Sequence, residues 1–427
     1  MAGLPRETRF ALYRRMVDCD AAPDCRLTLG IAATEQDLEA CFALLHDAYV
    51  ASGFMQPDPS GLRVTPYHAL PTTTTLFARF DDQIVGTLSI IREGVFGFPL
   101  QSVFDLRAVR ARPGRIAEIS ALAIHPQFRG GMVLFPLMKF MYEYCTKYFD
   151  TRHLVIAVNP KHIDMYESLL LFQRLQAQAV ENYDFVNGAP AIGATLDLAS
   201  APQAFRLAYE GRRPQRNLHH YFTQVSLPNI HFPERPYYTT NDPVMSPALL
   251  DHFFNRRTQV FNQLGGRRRR LLHAIYPEDG YRAVLPVADH TEVSVFPLRR
   301  HRRYSLKCPA ELHAGRDGSA ATSLEVVDVS LHGFLARAAT TLPPRAQGAV
   351  RINMGEGKAV TEQAAAVRHI DAVDGPYYGF HIESPGRTWR SYIGDLEALD
   401  APAGVARPAQ AVDDSADDWS LHDCATA

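Results

Sequence analysis

Residues 116–131 read Ile-Ala-Glu-Ile-Ser-Ala-Leu-Ala-Ile-His-Pro-Gln-Phe-Arg-Gly-Gly, and their reading decides the fold. A short apolar run that stops at His125-Pro126 and runs into two glycines is the pattern of a buried strand and a tight loop. Beyond the loop, Leu134, Leu137, Met138, Met141, Tyr144, Cys145 and Tyr148 return at helical spacing. Val133–Tyr148 therefore reads as a helix, with Pro136 tolerated in its first turn. Upstream, Thr34–Val50 reads as a helix capped by Thr34, with Leu38, Cys41, Phe42, Leu45, Ala48 and Tyr49 on one face. Thr75–Phe80 and Ile84–Ile91 read as strands joined at Asp81-Asp82-Gln83. Downstream, Leu154–Asn159 reads as a strand and Ile163–Leu170 as a short helix. Residues 26–200 thus predict an α/β domain, an open mixed sheet with helices on its faces. Residues 1–25 form an N-terminal extension without clear pattern.

Within the strand, Glu118 stands between apolar neighbours. An outward-pointing position accounts for it without function. An inward one makes it a general base whose proton affinity is raised by burial. The loop Arg129-Gly130-Gly131 before a helix exposes backbone N–H groups that suit a phosphate, and it equally suits a plain strand-to-helix turn. Asn159 and His162 follow the next strand, where His162 can orient a substrate or cap the helix. Tyr166 can protonate a leaving thiolate or simply pack. His219 and His220 lack partners at ligand spacing, so no metal site is inferred.

In order, these segments resemble the GNAT acyltransferase superfamily and, more closely, the FeeM-type N-acyl amino acid synthases. The stretches that carry the likeness are Ser60–Tyr67 with Leu70-Pro71, Val85–Leu88, Ala117–Ile124, Val158–His162 with Tyr166 and Phe172, and Val186–Ala191. The general coenzyme loop of the superfamily is Q/RxxGxG/A. Gln127 and Gly130 fit it, whereas Met132 stands where glycine or alanine is usual. A bulky side chain there would crowd a pyrophosphate, which speaks against acetyl-CoA. The resemblance implies instead an acyl group carried on acyl carrier protein, transferred to the amine of an amino acid. It implies Glu118 as base, Tyr166 as helper of the leaving thiolate, and Arg129 against the donor phosphate or the acidic carrier. An acyl-homoserine-lactone synthase using S-adenosylmethionine is a competing reading, but the aromatic and arginine-rich N-terminal pattern of that family is missing. A third reading keeps the fold without catalysis, as a protein-binding module.

Residues 201–293 show little pattern until Ser246 (N-cap), Pro247, Leu250, Phe253, Phe254, Phe261, Leu264 and Gly265-Gly266. These predict a helix over 246–264, either a connecting helix or a homodimer element. From 294 to 400 the sequence reads as short strands with turns, Tyr304–His313, Leu324–Val329, Phe334–Ala338, Ala349–Met354, Ala364–Ile370 and Tyr378–Ile382, the spacing of a small β-barrel. Two motifs meet here, the basic run Arg299-Arg300-His301-Arg302-Arg303 and Asp328-Val329-Ser330-Leu331-His332-Gly333. Each alone is a solvated charge run or a strand turn. In order, with Arg368-His369 and Tyr378-Gly379-Phe380 after them, they resemble the PilZ family. That resemblance implies cyclic di-GMP as regulatory ligand, held by Arg299, Arg303, Asp328, Ser330 and Gly333. Arginine forks suit phosphate and guanine edges, and a carboxylate suits the guanine N–H groups.

The net charge of −2 supplies no bulk field toward nucleic acid or an anionic membrane. Apolar runs are too short for a transmembrane segment. Six cysteines without a CxxC pair suit a reducing, cytoplasmic setting. The tail after Asp400, rich in Ala, Asp and Pro, reads as disordered. The whole predicts a cyclic di-GMP-responsive N-acyltransferase in which the nucleotide acts on access or carrier docking through the 200–290 segment.

Overall fold

Side-chain alternation along one strand sorts the N-terminal half of the protein into two layers. In the computed structural model, which describes residues 4–149, 151–235, 237–240, 242, 245–276, 278–287, 302–313, 321–355, 357–372 and 375–400, Ala117 packs into a core on one face of the sheet and Ile116 into a core on the other. The strands are β1 (Leu27–Ile31), β2 (Thr73–Phe80), β3 (Gln83–Arg92), β4 (Arg115–Ile124), β5 (Thr151–Val158), β6 (Gln173–Arg174), β7 (Val180–Tyr183) and β8 (Ala189–Asp197). They form a mixed sheet in the order β1-β2-β3-β4-β5-β8-β6, with β7 on β8. β4 and β5 are parallel, and the other pairs are antiparallel. The helix Leu134–Lys147 buries Leu137, Phe140, Tyr144 and Cys145 in the first core. The helix Glu35–Ala51 buries Leu38, Cys41 and Phe42 in the second. Its start is set by Thr34, whose side chain accepts from the Asp37 N–H at 3.1 Å, a cap worth about 1 kcal/mol.

The residues after 200 complete these two cores. Helices Ala201–Tyr209 and Leu218–Thr223 put Phe205, Tyr209, Leu218 and Tyr221 into the first. The expected helix over 246–264 is corrected by the structure. Ser246 does cap it, accepting from the Leu249 N–H at 3.2 Å, but the α-helix Pro247–Leu250 widens into a π-helical stretch, Asp251–Arg257, and ends at Thr258. Thr258 is extended, and its hydroxyl donates to the Phe253 carbonyl at 2.6 Å. Gly265 precedes a new helix, Gly266–Ile275, instead of closing the old one. Phe253, Phe254 and Phe261 are fully buried in the second core, each contributing about 2–3 kcal/mol, so this face is not available to a second copy of the chain. The N-terminal residues, read as patternless, include a helix, Arg6–Arg15, latched to the helix Ile163–Leu169 by Arg6–Glu167 (2.9 Å) and Arg9–Asp164 (2.6 Å).

The C-terminal strands are β9 (Tyr304–His313), β10 (Thr322–Ser330), β11 (Gly333–Ala338), β12 (Gln347–Gly355), β13 (Lys358–Ala372) and β14 (Gly375–His381). Their antiparallel pairings close into a ring, β10-β11-β14-β13-β12-β9, around Leu306, Val326, Val350, Ile352 and Phe380. The helix Arg387–Asp400 plugs this barrel with Trp389, whose indole N–H donates to the Leu331 carbonyl at 2.9 Å.

One short segment joins the sheet to the barrel. Residues 238–240 lie along β9: the Lys307 N–H donates to the Tyr238 carbonyl (2.9 Å) and the Thr240 N–H to the Ser305 carbonyl (3.0 Å). Two residues on, Asp242 enters the sheet's own network. Its carboxylate accepts from Tyr144 (2.8 Å), Thr74 (2.7 Å) and Arg235. A buried carboxylate with that many donors is held in one place. Beside this segment lies a cavity of about 320 Å3 lined by Thr72, Arg92, Arg115, Phe149, Thr240 and Ser305. No helix among the described residues is long and apolar enough to cross a membrane.

Candidate active site

β4 and β5 begin as neighbours and then part. Their ladder runs from Arg115–Thr151 to Glu118–Val155 and stops, although β4 continues to Ile124 and β5 to Val158. The sheet forks at Glu118. On its other side β4 bulges against β3, where Thr87 faces Ala123 and Ser89 faces Ser120. Inside the bulge Ala121 takes a left-handed φ of 56°, a conformation costly for a residue with a Cβ and typical of functional strands. Between parallel strands such an opening lies at their C-terminal ends, the usual place for a ligand in an α/β sheet. The loops leaving those ends are 125–133 and 159–162, so the Arg129-Gly130-Gly131 loop and the Asn159–His162 turn flank the mouth of the fork.

Glu118 is only 2 % exposed, so its side chain is buried in the sheet's interior. Its carboxylate accepts from the Leu100 N–H at 3.0 Å. Burial pushes its pKa up to about 8, against the modest lowering by that hydrogen bond. Tyr49, Tyr67 and Tyr183 surround it electrostatically. Burial raises each phenol, and the Glu118 carboxylate adds to the rise in all three. Tyr183 is 2 % exposed and its hydroxyl has no hydrogen-bond partner among the described residues. Tyr166 is half-buried, its ring edge-on to Phe172 at 6.1 Å. Burial and then Tyr49 raise its pKa to about 12, so it stays protonated and can donate.

Two arginines lie against the rings of Tyr49 and Tyr67. Arg63 stacks on Tyr49 at 4.2 Å and donates to the Phe185 carbonyl at 2.7 Å. Arg268, from the helix Gly266–Ile275, lies 5.8 Å from the Tyr67 ring and 5.3 Å from that of Phe96. Among the described residues neither is paired with a carboxylate.

Gly130 and Gly131 both take positive φ, 116° and 115°, and Arg129 and Gly130 are exposed while Gly131 is buried. Met132 is 52 % exposed, so its side chain points to solvent at the rim of the loop. The Asn159 side chain is occupied by its own turn, accepting from the Lys161 N–H at 3.1 Å. His162 occupies the N-cap position but its side chain makes no cap bond and is exposed. Glu35, Glu39 and His252 come within ligand distance of one another, with Arg257 ion-paired to Glu39. The sequence gives no hint of this grouping, since His252 is far from the two glutamates in the chain.

On the barrel, Arg303 pairs with Asp328 at 2.8 Å and the Ser330 hydroxyl donates to the Gly333 carbonyl at 3.1 Å. A Cβ on Gly333 would lie 2.2 Å from the Phe380 carbonyl oxygen, so no other residue fits without moving the strand. Arg302 is ion-paired with Glu278. Arg299, with Arg300 and His301, lies outside the described residues, as does the tail from 401 onward.

Residues 40–197 match the family described as N-acyl amino acid synthase FeeM, a little over a third of the chain. No curated protein matches. Among solved structures the chain is similar to FeeM, an N-acyl amino acid synthase from uncultured soil microbes, at 26% identity and a TM-score of 0.37, covering 43% of this chain and 97% of that one. It is similar to BjaI, a CoA-dependent acyl-homoserine lactone synthase, at 21% identity and a TM-score of 0.36, covering 49% of this chain and 95% of that one. It is also similar to YcgR of Escherichia coli, solved with c-di-GMP, at 19% identity and a TM-score of 0.21, covering 24% of this chain and 46% of that one. The family match spans both strands of the fork, Glu118 and Tyr166, and on that ground the chain is an N-acyltransferase enzyme.

Proposed function

We propose that the protein transfers a long-chain acyl group from acyl carrier protein to the amine of an amino acid, in response to cyclic di-GMP. One observation carries the first part: a buried carboxyl of raised proton affinity stands where the sheet forks. The acceptor amine comes to Glu118, gives up a proton to it and attacks the thioester carbonyl. The C–N bond forms and the C–S bond breaks; Tyr166 donates a hydrogen bond to the leaving thiolate, which takes up the proton that Glu118 removed from the amine. The products are an amide and a free thiol, with no outside oxidant or reductant. Backbone N–H groups of β4 beyond the end of its ladder with β5 suit the developing oxyanion. Arg129 and the glycines beside it receive the donor's phosphate or the acidic carrier, and Asn159 and His162 border the same mouth. On the opposite face Met138, Met141, Leu154, Leu170, Phe172 and Phe205 line a small apolar cavity of about 40 Å3, which would have to widen to take an acyl tail.

The acyltransferase domain is taken as residues 26–200, the PilZ domain as 294–400, and residues 201–293 as the connection. What supports regulation is the continuity of contacts from one to the other. Asp328 faces Ser305 across β9 and β10, Ser305 holds Thr240, and the Thr240 carbonyl accepts from Arg92. Arg92 in turn faces Ala117 across β3 and β4, next to Glu118. A nucleotide gripping Arg303 and Asp328 would pull on the first link of this chain.

The donor is tested by single-turnover acylation with palmitoyl-loaded acyl carrier protein against palmitoyl-CoA at equal concentration. The carrier-bound donor is expected to react at least roughly tenfold faster, since only it can use the protein-protein contact for positioning. Faster reaction from the CoA thioester would reverse the donor assignment.

A further inference from the structure

The cavity of about 320 Å3 at the junction has no task in the chemistry described above, and its lining comes from both sheet and barrel. The sheet supplies Arg92, the last residue of β3, Arg115, the first of β4, and Thr151, the first of β5. From Arg115 the same strand runs on to Glu118. Arg92 is buried and fixed. Its guanidinium lies 3.9 Å from the centre of the Phe149 ring and donates to the carbonyls of Pro71 (2.9 Å) and Thr240. Arg115 is exposed, and among the described residues it has no carboxylate partner. The carboxylate of the lining, Glu93, is ion-paired with Arg110 at 2.6 Å. The lining is thus left with a surplus of positive charge. Thr72 and Thr240 line it too, and the hydroxyl of each is buried with no hydrogen-bond partner among the described residues. Thr240 is only 2% exposed. Buried hydroxyls in that state are rare unless water or a ligand completes them.

Ser305 ties this cavity to the barrel. Its neighbours Tyr304 and Leu306 lie in the barrel core, so Ser305 faces outward. Directly across the ladder stands Asp328, which faces the same way and holds Arg303 at 2.8 Å. Side chains opposed in this manner have Cβ atoms about 4.5–5.5 Å apart. A ligand gripped by Arg303 and Asp328 therefore has the cavity as its next surface.

We propose that the cavity is the second half of the nucleotide site, where a phosphodiester of the ligand held by Arg303 and Asp328 lies against Arg115 and the hydroxyls of Thr240 and Ser305. Arg92 adds a fixed positive charge. An arginine fork with hydroxyl donors suits a phosphate. The volume is at the lower end of the roughly 300–1,000 Å3 of small-molecule sites, so it admits part of a cyclic dinucleotide and leaves the rest on the barrel. The inference rests on the cyclic di-GMP reading and deepens it, because it makes the first residue of the strand that carries Glu118 a nucleotide contact.

The test titrates cyclic di-GMP and, separately, inorganic pyrophosphate into the full chain by calorimetry. Arg115→Ala is expected to weaken cyclic di-GMP by roughly ten- to a hundredfold, the usual cost of a lost charge-assisted contact, and Arg115→Lys to keep part of the affinity. Arg107→Ala removes the same charge from a side chain that is 90% exposed, paired with Asp105 and no part of the lining, and should leave affinity unchanged. Thr240→Val should melt no lower than the wild type without nucleotide, yet bind it roughly three- to tenfold more weakly. A cavity that merely holds water would leave affinity unchanged in Arg115→Ala and Thr240→Val, and that result overturns the inference. Equal losses in Arg115→Ala and Arg107→Ala would overturn it as well, since bulk charge would then explain both. Pyrophosphate binding that needs Arg115, beside cyclic di-GMP binding that does not, would make the cavity a site for a free phosphate ligand and overturn the shared one. A wild-type chain that binds no cyclic di-GMP would sink the nucleotide reading itself. Binding that needs Arg303 but not Arg115 would keep that reading and sink this inference alone.

Discussion

Glu118→Gln lowers the rate of amide formation by roughly 100- to 10,000-fold, the usual range for loss of a general base, while the protein remains folded. Glutamine keeps the shape and can still accept from the Leu100 N–H. What it loses is the ability to take a proton. The wild-type rate is expected to rise with pH through about 8, where Glu118 becomes charged, and the residual rate of the variant lacks that inflection. Stability moves the other way. Because the folded-state pKa lies above that of an unfolded carboxyl, the native state binds more protons between about 4.5 and 8. Stability therefore falls as pH rises across that window and levels off above it. The variant has no such loss, so at pH 9 it should melt above the wild type, by up to a few kcal/mol in stability. A variant that is active but less stable at pH 9 would mean that Glu118 is a structural residue.

Arg303→Ala weakens cyclic di-GMP binding by roughly a hundredfold or more, as measured by calorimetry on the full chain. Arg303 is paired with Asp328 at 2.8 Å, and their side chains are 41% and 21% exposed. A pair so open to solvent adds little to folding, about 0–1 kcal/mol, so the melting temperature should barely change. Its value is in being pre-positioned, since a bidentate grip on phosphate or a guanine edge is lost with the side chain. Asp328→Ala is expected to act in the same direction. Arg302→Ala gives the contrast, because Arg302 is ion-paired with Glu278 on the far side of the junction. It should leave affinity nearly intact. Unchanged affinity in Arg303→Ala would contradict the nucleotide site.

Local signals in the sequence were strong where the chain is locally ordered. The period of Leu137, Met141, Tyr144 and Cys145 located the helix over the first core, and Thr34 located the start of the helix over the second. Glu118 stood out because a carboxyl between the apolar neighbours Ala117 and Ile119 needs a reason to be there. Long-range features were not readable. Nothing local says that β4 and β5 pair as far as Glu118 and no further. Tyr183 is buried and Arg268 reaches Tyr67 only through tertiary packing, and neither sits in a pattern that separates it from its neighbours. The helix over 246–264 failed for a specific reason. Phe253, Phe254, Phe261 and Leu264 fit a helical face, yet the π-turn and the extended Thr258 reset the phase, and the same residues reach one core from separate elements. Gly265-Gly266 fits a helix end as well as a helix start, and only the fold chooses between them.

The most direct test of the central claim incubates the purified protein with palmitoyl-loaded acyl carrier protein and all twenty amino acids, with and without cyclic di-GMP, and reads the products by mass spectrometry. The account predicts an N-palmitoyl amino acid whose yield changes with the nucleotide. No acylated product in either condition, from protein that binds cyclic di-GMP, would contradict it and leave a nucleotide effector that uses the acyltransferase fold for binding alone.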